Sequence, residues 1–321
     1  ALEYAQATFG RDHVATKALS AGQFAAGGAI LPDPVSNEII ELLRDRSVVR
    51  QMNPRIVNLE RGGRLNVPKV TGDVSVNYLG ENEDITESEP TTGQVVLDAK
   101  KLAALVPISN DLIRYSLDQG LDMVREVVVD AIAQKENKTL INSDGTGDKP
   151  KGIRHLAATA NVTGSNGDSS TNVEQDFVDL MEALEGNNAP MDRPFWIMSS
   201  RSKNHLVNLR DSNGNLTFPE IRQASPRVYG HPVMVTNAVP NNLGSGNESE
   251  VHFVDANELL FGQALAMEVT VSNEGSYMSG GSVVSAFSRD QSLLRAILEH
   301  DLQIRHDVSA AVKTNVTWGT Q

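Results

Sequence analysis

No cysteine occurs in the 321 residues, which excludes disulfides, thiolate nucleophiles and Cys-based zinc or iron–sulfur sites. Aromatic residues make up only 5%, too few rings for one dense private core and in keeping with an extended, surface-rich protein. Basic side chains are also short: 28 Lys and Arg stand against 41 Asp and Glu, a formal charge of -13. That balance argues against wrapping or tracking nucleic acid through phosphate neutralisation. No apolar run approaches the roughly 20 residues that span a bilayer as a helix, and the start at Ala1 lacks the pattern of a secretory signal. There is no His-Glu-x-x-His, no Gly-x-Ser-x-Gly elbow, no Gly-x-x-x-x-Gly-Lys phosphate loop and no Gly-x-Gly-x-x-Gly after a strand. What remains is a chain long enough for one large domain or two to three smaller ones, held by packing and assembly.

The sequence divides by character. Residues 1–30 mix Gly, Ala, Gln and isolated charges without a sustained period, which reads as an arm that must lie on something else. A first helix is predicted from about Pro34 to Arg46, with Ile39, Leu42 and Leu43 on one face. From Arg55 to Ala103 the pattern is strand, turn, strand, a long hairpin. Between its limbs, Gly80 to Pro90 holds five acidic residues and no basic one. Limbs of some 20 residues would reach about 65 Å, far beyond the radius of a compact domain. Such an excursion, poor in large apolar residues, should rest on a neighbouring subunit.

Ser109, Asn110 and Asp111 are cap candidates for the clearest helical stretch, in which Leu117, Leu121, Val124, Val128 and Ala131 recur at helical spacing. From Gly120 to Asn142 that helix would run about 34 Å. Residues 151–262 alternate helix and strand signals, with helices near 173–185 and 200–210 and strands at 195–198, 233–235 and 251–254, a mixed α/β domain. Two strands, 264–271 and 282–288, are expected to be bridged by the loop 272–281, followed by a strand through Leu293–Leu298. Ala310-Ala311-Val312 reads as a strand returning to the mixed domain.

Chemistry is sparse. Seven His are scattered, and His300 and His306, six apart, are poorly placed to share a helix face. Asp144-Gly-Thr-Gly-Asp148 lacks the remaining EF-hand positions and reads as a helix-ending turn. Asn-x-Ser/Thr triplets begin at Asn137, Asn161, Asn215, Asn247 and Asn315, a number that an Asn-rich chain gives by chance. A hydrolase using Asp and His has no spacing to support it. The acidic stretch could be a solvated face or hold a metal, but charge pairing with Arg on an adjacent subunit is the stronger reading. The candidate contact residues are Glu81, Glu83, Asp84, Glu87 and Glu89, with Arg44, Arg46 and Arg125, and also Arg11, as their partners. No catalytic residue, metal ligand or cofactor is assigned.

Five segments in order carry a resemblance: Gly27-Gly-Ala-Ile-Leu-Pro32 leading to Asn37-Glu-Ile-Ile-Glu-Leu-Leu-Arg-Asp-Arg-Ser-Val-Val-Arg50; Leu102-Ala-Ala-Leu-Val-Pro-Ile-Ser-Asn110; Leu140-Ile-Asn-Ser-Asp-Gly-Thr-Gly-Asp148 with Pro150-Lys-Gly152; Phe287-Ser-Arg-Asp-Gln-Ser-Leu-Leu-Arg295; and Asp301-Leu-Gln-Ile-Arg-His306. Together they resemble the major capsid protein of tailed bacteriophages of the Hong Kong ninety-seven type. The resemblance implies an α+β capsid fold. Its parts would be an N-terminal arm (1–30), an extended loop (55–103), a peripheral domain with a long spine helix (31–54, 104–150 and 263–300) and a mixed α/β axial domain (151–262 and 301–321).

It further implies a structural, non-enzymatic protein that self-assembles as hexamers and pentamers into an icosahedral head around double-stranded DNA. Its place would be the virion, assembled in the bacterial host cytoplasm. The implied partners are further copies of itself, a portal, a maturation protease whose cleavage would leave Ala1, and a cement protein. Neither a membrane nor a specific nucleic-acid sequence is among them. Some members of the family lock the shell with a Lys–Asn isopeptide bond assisted by a Glu. Here Gln291 and Leu298 fall where the Asn and Glu would stand, and the hairpin tip has no Lys, so no covalent cross-linking is expected. An encapsulin-type compartment is the alternative within the same fold.

Overall fold

The computed structural model describes residues 29–30, 46–59, 62–70, 76, 78, 84, 87, 89, 91–115 and 119–320. The helix expected from Pro34 to Arg46 lies almost wholly outside them, as do most of residues 1–30. In chain order the described elements are β1 (Ala29–Ile30), α1 (Val48–Gln51), β2 (Arg55–Asn58), β3 (Arg64–Val70), β4 (Thr92–Asp98), β5 (Lys100–Ser109), α2 (Asn110–Tyr115), α3 (Gln119–Asn142), α4 (Ile153–Leu156), β6 (Val162–Gly164), α5 (Ser170–Glu185), β7 (Pro194–Met198), α6 (Ser200–Asn208), β8 (Arg227–Val228), β9 (His231–Val235), β10 (Ser249–Asp255), β11 (Leu259–Ser272), β12 (Ser276–Ser279), β13 (Ser282–Ser285), β14 (Gln291–Ile304) and β15 (Ala310–Val316). They fall into two compact units. One comprises the described residues within Ala1–Leu42, Leu102–Ala131 and Met267–Leu298; the other those within Leu43–Lys101, Ile132–Ala266 and Glu299–Gln321.

In the second unit a six-stranded sheet has the order β6-β15-β10-β7-β9-β8. All seven residues of β10 are buried. Val251 and Phe253 enter one core with Phe177, Trp196 and Trp318, while Val254 enters another with Leu140, Ile153 and Phe261. The chain's only two Trp meet in the first of these. Trp196 stacks on Phe253 at 4.0 Å, and Phe177 stands edge-on to Trp196 at 4.8 Å and lies 5.4 Å from Trp318. Their indole N–H groups donate to Val228 O and Gly167 O. Helices α5 and α6 start where Ser169 and Ser199 accept from the backbone N–H three residues on, the usual serine cap.

A five-stranded sheet has the order β1-β11-β14-β5, with β2 also on β11. Here the expected hairpin is corrected. Arg55–Asn58 is not part of its outgoing limb but pairs in parallel with Leu260–Gln263. The hairpin is β3 on β4, in register from Arg64↔Asp98 through Pro68↔Gln94 to Val70↔Thr92. Seven residues span about 23 Å, and the outer part, including most of the expected strand 74–78, lies outside the described residues. Leu97 and Val95 anchor its root by burial against Leu59 and Leu260.

Two more expectations change. The loop 272–281 itself contains β12, which pairs with β13 across a Gly280-Gly281 turn at φ +58° and +81°; residues 282–285 therefore complete a local hairpin. In α3, Ala131 is exposed, and the buried stripe is Val128, Val129, Ile132, Ala133, Glu136, Asn137, Leu140 and Ile141. Polar Glu136 and Asn137 face inward, and their polarity disguises the true face.

Gly152 closes the turn after α3. Its N–H donates to Ser143 O, and a Cβ there would sit 2.6 Å from the Ile141 carbonyl carbon. Backbone cannot yield as a flexible side chain does. Gly152→Ala is expected to destabilise the second unit by about 1–3 kcal/mol, read as a lower urea midpoint; an unchanged midpoint would contradict this packing.

Candidate functional site

The hairpin root is held by charge as well as by apolar burial. The Asp301 carboxylate accepts the Asp98 N–H at 2.8 Å and the Leu302 N–H at 2.9 Å, and Lys100 Nζ pairs with Asp98 at 2.6 Å. Burial nonetheless holds the Asp301 carboxyl above the usual carboxylate range. Beyond this root, Asp84, Glu87 and Glu89 are exposed and have no hydrogen-bond or ion-pair partner.

Glu81, Glu83, Arg11 and Arg44 lie outside the described residues. Arg125 is in α3, but its side chain is outside them. Arg46 is half-buried, and its carbonyl accepts from Asn137 Nδ2 at 3.1 Å. Of the residues expected to resist or permit cross-linking, Gln291 accepts from the Tyr277 hydroxyl at 2.9 Å, and Leu298 is fully buried.

Sequence reasoning missed a set of buried ionic groups, because their partners are far apart along the chain. Arg50 Nε meets the fully buried Glu136 at 2.8 Å, and the Arg50 guanidinium lies 4.7 Å above the Phe261 ring, which stacks in turn on His300. Desolvation holds the Glu136 carboxyl above its ordinary value against the pull of Arg50. Next to it, Asn137 Oδ1 accepts from Val48 N at 2.8 Å and from Ser47 Oγ, so that a helix side chain caps α1. Lys313, buried in β15, is gripped by Asp179 at 2.7 Å and Asp176 at 3.3 Å, two carboxylates one turn apart on α5. Such pairs cost desolvation to form but fix one arrangement of elements.

Asn137 and Asn161 are both buried and hydrogen-bonded, so two of the five glycosylation triplets are closed to a glycan. Asp144 accepts from Thr146 N and Oγ1, the helix-ending turn expected. Among the described residues no group of three His, Asp or Glu is placed to hold a metal ion.

A second buried cluster sits on β10. Arg154 Nε lies 2.7 Å from Glu250, whose other oxygen is 3.8 Å from His252 Nε2. The ring nitrogens of His252 and Nδ1 of His300 have no hydrogen-bond partner. Burial pushes both imidazoles down to about 3, with Arg154 and Arg50 adding repulsion, and raises Glu250 to about 7 against Arg154. Between about pH 3 and 6.5 the unfolded chain therefore binds His protons that the folded chain refuses, and stability is lost as pH falls through that window. Glu250 has the opposite sign: its contribution is present below its unfolded value of 4.5 and lost as pH rises towards 7. His300→Phe keeps the stack on Phe261, so it is expected to flatten the low-pH loss of stability by up to about 1.4 kcal/mol per pH unit. Urea unfolding at pH 5 and 6 checks this; an unaltered slope would mean that His300 titrates normally.

These features belong to a scaffold with a projecting, partnerless acidic segment, and comparison with known proteins agrees. The phage capsid family model matches residues 27–316. The major capsid protein of Klebsiella oxytoca phage phiKO2 is 37% identical over 298 residues, covering 91% of this chain and 69% of its own. A solved structure from Mycobacterium phage Adephagia has a TM-score of 0.68 at 16% identity, covering 84% of this chain and 89% of its own. The capsid of an empty GTA particle has a TM-score of 0.66 at 17% identity, covering 84% and 90%. These two likenesses show the Hong Kong ninety-seven type capsid fold. The chain belongs to the phage capsid family.

Proposed function

We propose that this chain is the major structural protein of a phage head, assembling as hexamers and pentamers into an icosahedral shell around double-stranded DNA. The observation that carries this reading is the family match over nearly the whole chain, joined to a 37% identical major capsid protein. The relatives are phage proteins, which favours the head over an enzyme-carrying compartment of the same fold. The work of such a protein is structural, not catalytic, and its place is the virion, with assembly in the host cytoplasm. A portal, a maturation protease and a cement protein are the further partners of this reading.

Within it, the mixed unit around β10 takes the axial role, α3 is the spine of the peripheral part, and the β3–β4 hairpin is the extended loop that lies over a neighbour. The hairpin's unpartnered carboxylates then meet cations of another copy, and cohesion rests on overlap and charge. The net charge of -13 suits a wall from which packaged DNA is released without adhering.

Electron microscopy of the native particle is expected to show closed shells with rings of six and five subunits; a discrete monomer or dimer would overturn the reading. Replacing Glu81, Glu83 and Asp84 with Lys is expected to impair shell assembly while leaving the subunit folded by circular dichroism. Normal shells from that variant would remove the charge-pairing account of the loop.

A further inference from the structure

The positive charge of this acidic chain is gathered around one helix. From Ser200 to Arg210 the sequence carries Arg201, Lys203, His205 and Arg210 without a single Asp or Glu. A cleft of about 500 Å³ runs beside α6, lined by Arg201, Asn204, His205, Asn208, Arg210 and the chain end at Thr320.

The arginines there are fixed without being neutralised. Arg201 donates to Asn241 O and Val316 O at 3.2 Å each, and its buried Nε has no partner. Arg210 donates to Gly214 O at 2.7 Å, and Arg222 donates through two nitrogens to Val207 O. Every acceptor is a neutral carbonyl, which orients a guanidinium but leaves its charge in place. Asp211, the nearest acid in sequence, spends its carboxylate on its own turn by accepting from Asn213 N, Asn215 N and Asn215 Nδ2.

The same chain carries the opposite surplus in its hairpin, where Asp84, Glu87 and Glu89 are exposed and unpartnered. The lengths also match. Arg201 to Arg210 covers about 13 Å along a helical path, and Asp84 to Glu89 covers about 16 Å when extended. We propose that the cleft beside α6 receives the acidic segment 81–89 of a second copy of this chain. The proposal rests on the shell reading above, and it gives the receiving charge to a different element from Arg11, Arg44, Arg46 and Arg125.

A short carboxylate segment suits this site better than a nucleic-acid backbone. The cleft is a single helix long, Asp168 and Asp211 stand at its rim to repel a continuous polyphosphate, and Asn204 and Asn208 offer amide donors between the cations. Bidentate pairing of Arg201 and Arg210 with carboxylates would also supply register between copies.

A charge swap tests this. Arg210→Glu alone, and Arg201→Glu with Arg210→Glu, are expected to lower the yield of closed shells by about tenfold or more, while circular dichroism and melting of the isolated subunit stay as in the unaltered chain. Adding Asp84→Lys, Glu87→Lys and Glu89→Lys to the reversed cleft should restore shells to within about threefold. Arg210→Glu touches only an exposed turn, so it keeps the test open if the double variant misfolds. Normal assembly of the folded Arg210→Glu chain, or no recovery from the swap, overturns the proposal. So does a folded, shell-forming variant that has lost only retention of DNA on a filter, which would make nucleic acid the occupant. Failure of the unaltered chain to form closed particles would instead overturn the shell reading.

Discussion

Strand β10 has no outer face, and the second unit is organised by that constraint. Seven consecutive residues without solvent contact require apolar partners above and below, so two cores condense on one strand, one rich in rings and one in aliphatic chains. Double burial is ordinary for Val251, Phe253 and Val254, but Glu250 and His252 share the strand. The sheet can keep them only by suppressing their charge or supplying Arg154. The shifted protonation of both groups is the electrostatic expression of a packing demand.

The same logic explains the distribution of charge. Ion pairs inside the second unit, Arg50 with Glu136 and Lys313 with Asp179, join segments remote in sequence, and they act as fixed points between helix and sheet. The remaining charge is sorted outward by sign, with carboxylates on the hairpin and arginines along α6. A protein acting alone gains nothing from leaving both surpluses unpaired. A protein that meets copies of itself has each surplus answered by the other, and the scarcity of aromatic residues follows, since part of its buried area is shared.

Much of the fold was legible where local signals and tertiary context agree. Ser169 and Ser199 mark helix starts, the compact apolar run Phe195–Met198 reads as a buried strand, and the four-three spacing announces α3. Legibility failed where long-range contact overrides local pattern. Arg55–Asn58 has the composition of a hairpin limb, but its partner Leu260–Gln263 is two hundred residues away. Glu136 and Asn137 look like surface residues until Arg50 and Val48 are placed beside them. The acidic segment could be read as a charge in need of a partner, because five acids without a base are visible in any register; the basic cleft could not, because its cations stand out only once their acceptors are seen to be carbonyls.

The β3–β4 ribbon has two open edges, each a template for another strand. Pro68 removes one backbone donor from β3, and Lys69 follows it, so the edge is interrupted halfway along its length. A ribbon so blunted cannot recruit strand after strand into a filament. It must engage its neighbour through side chains at defined places, and contacts of that kind can close on themselves, so the choice between an endless fibre and a finite container is made in part by one missing N–H.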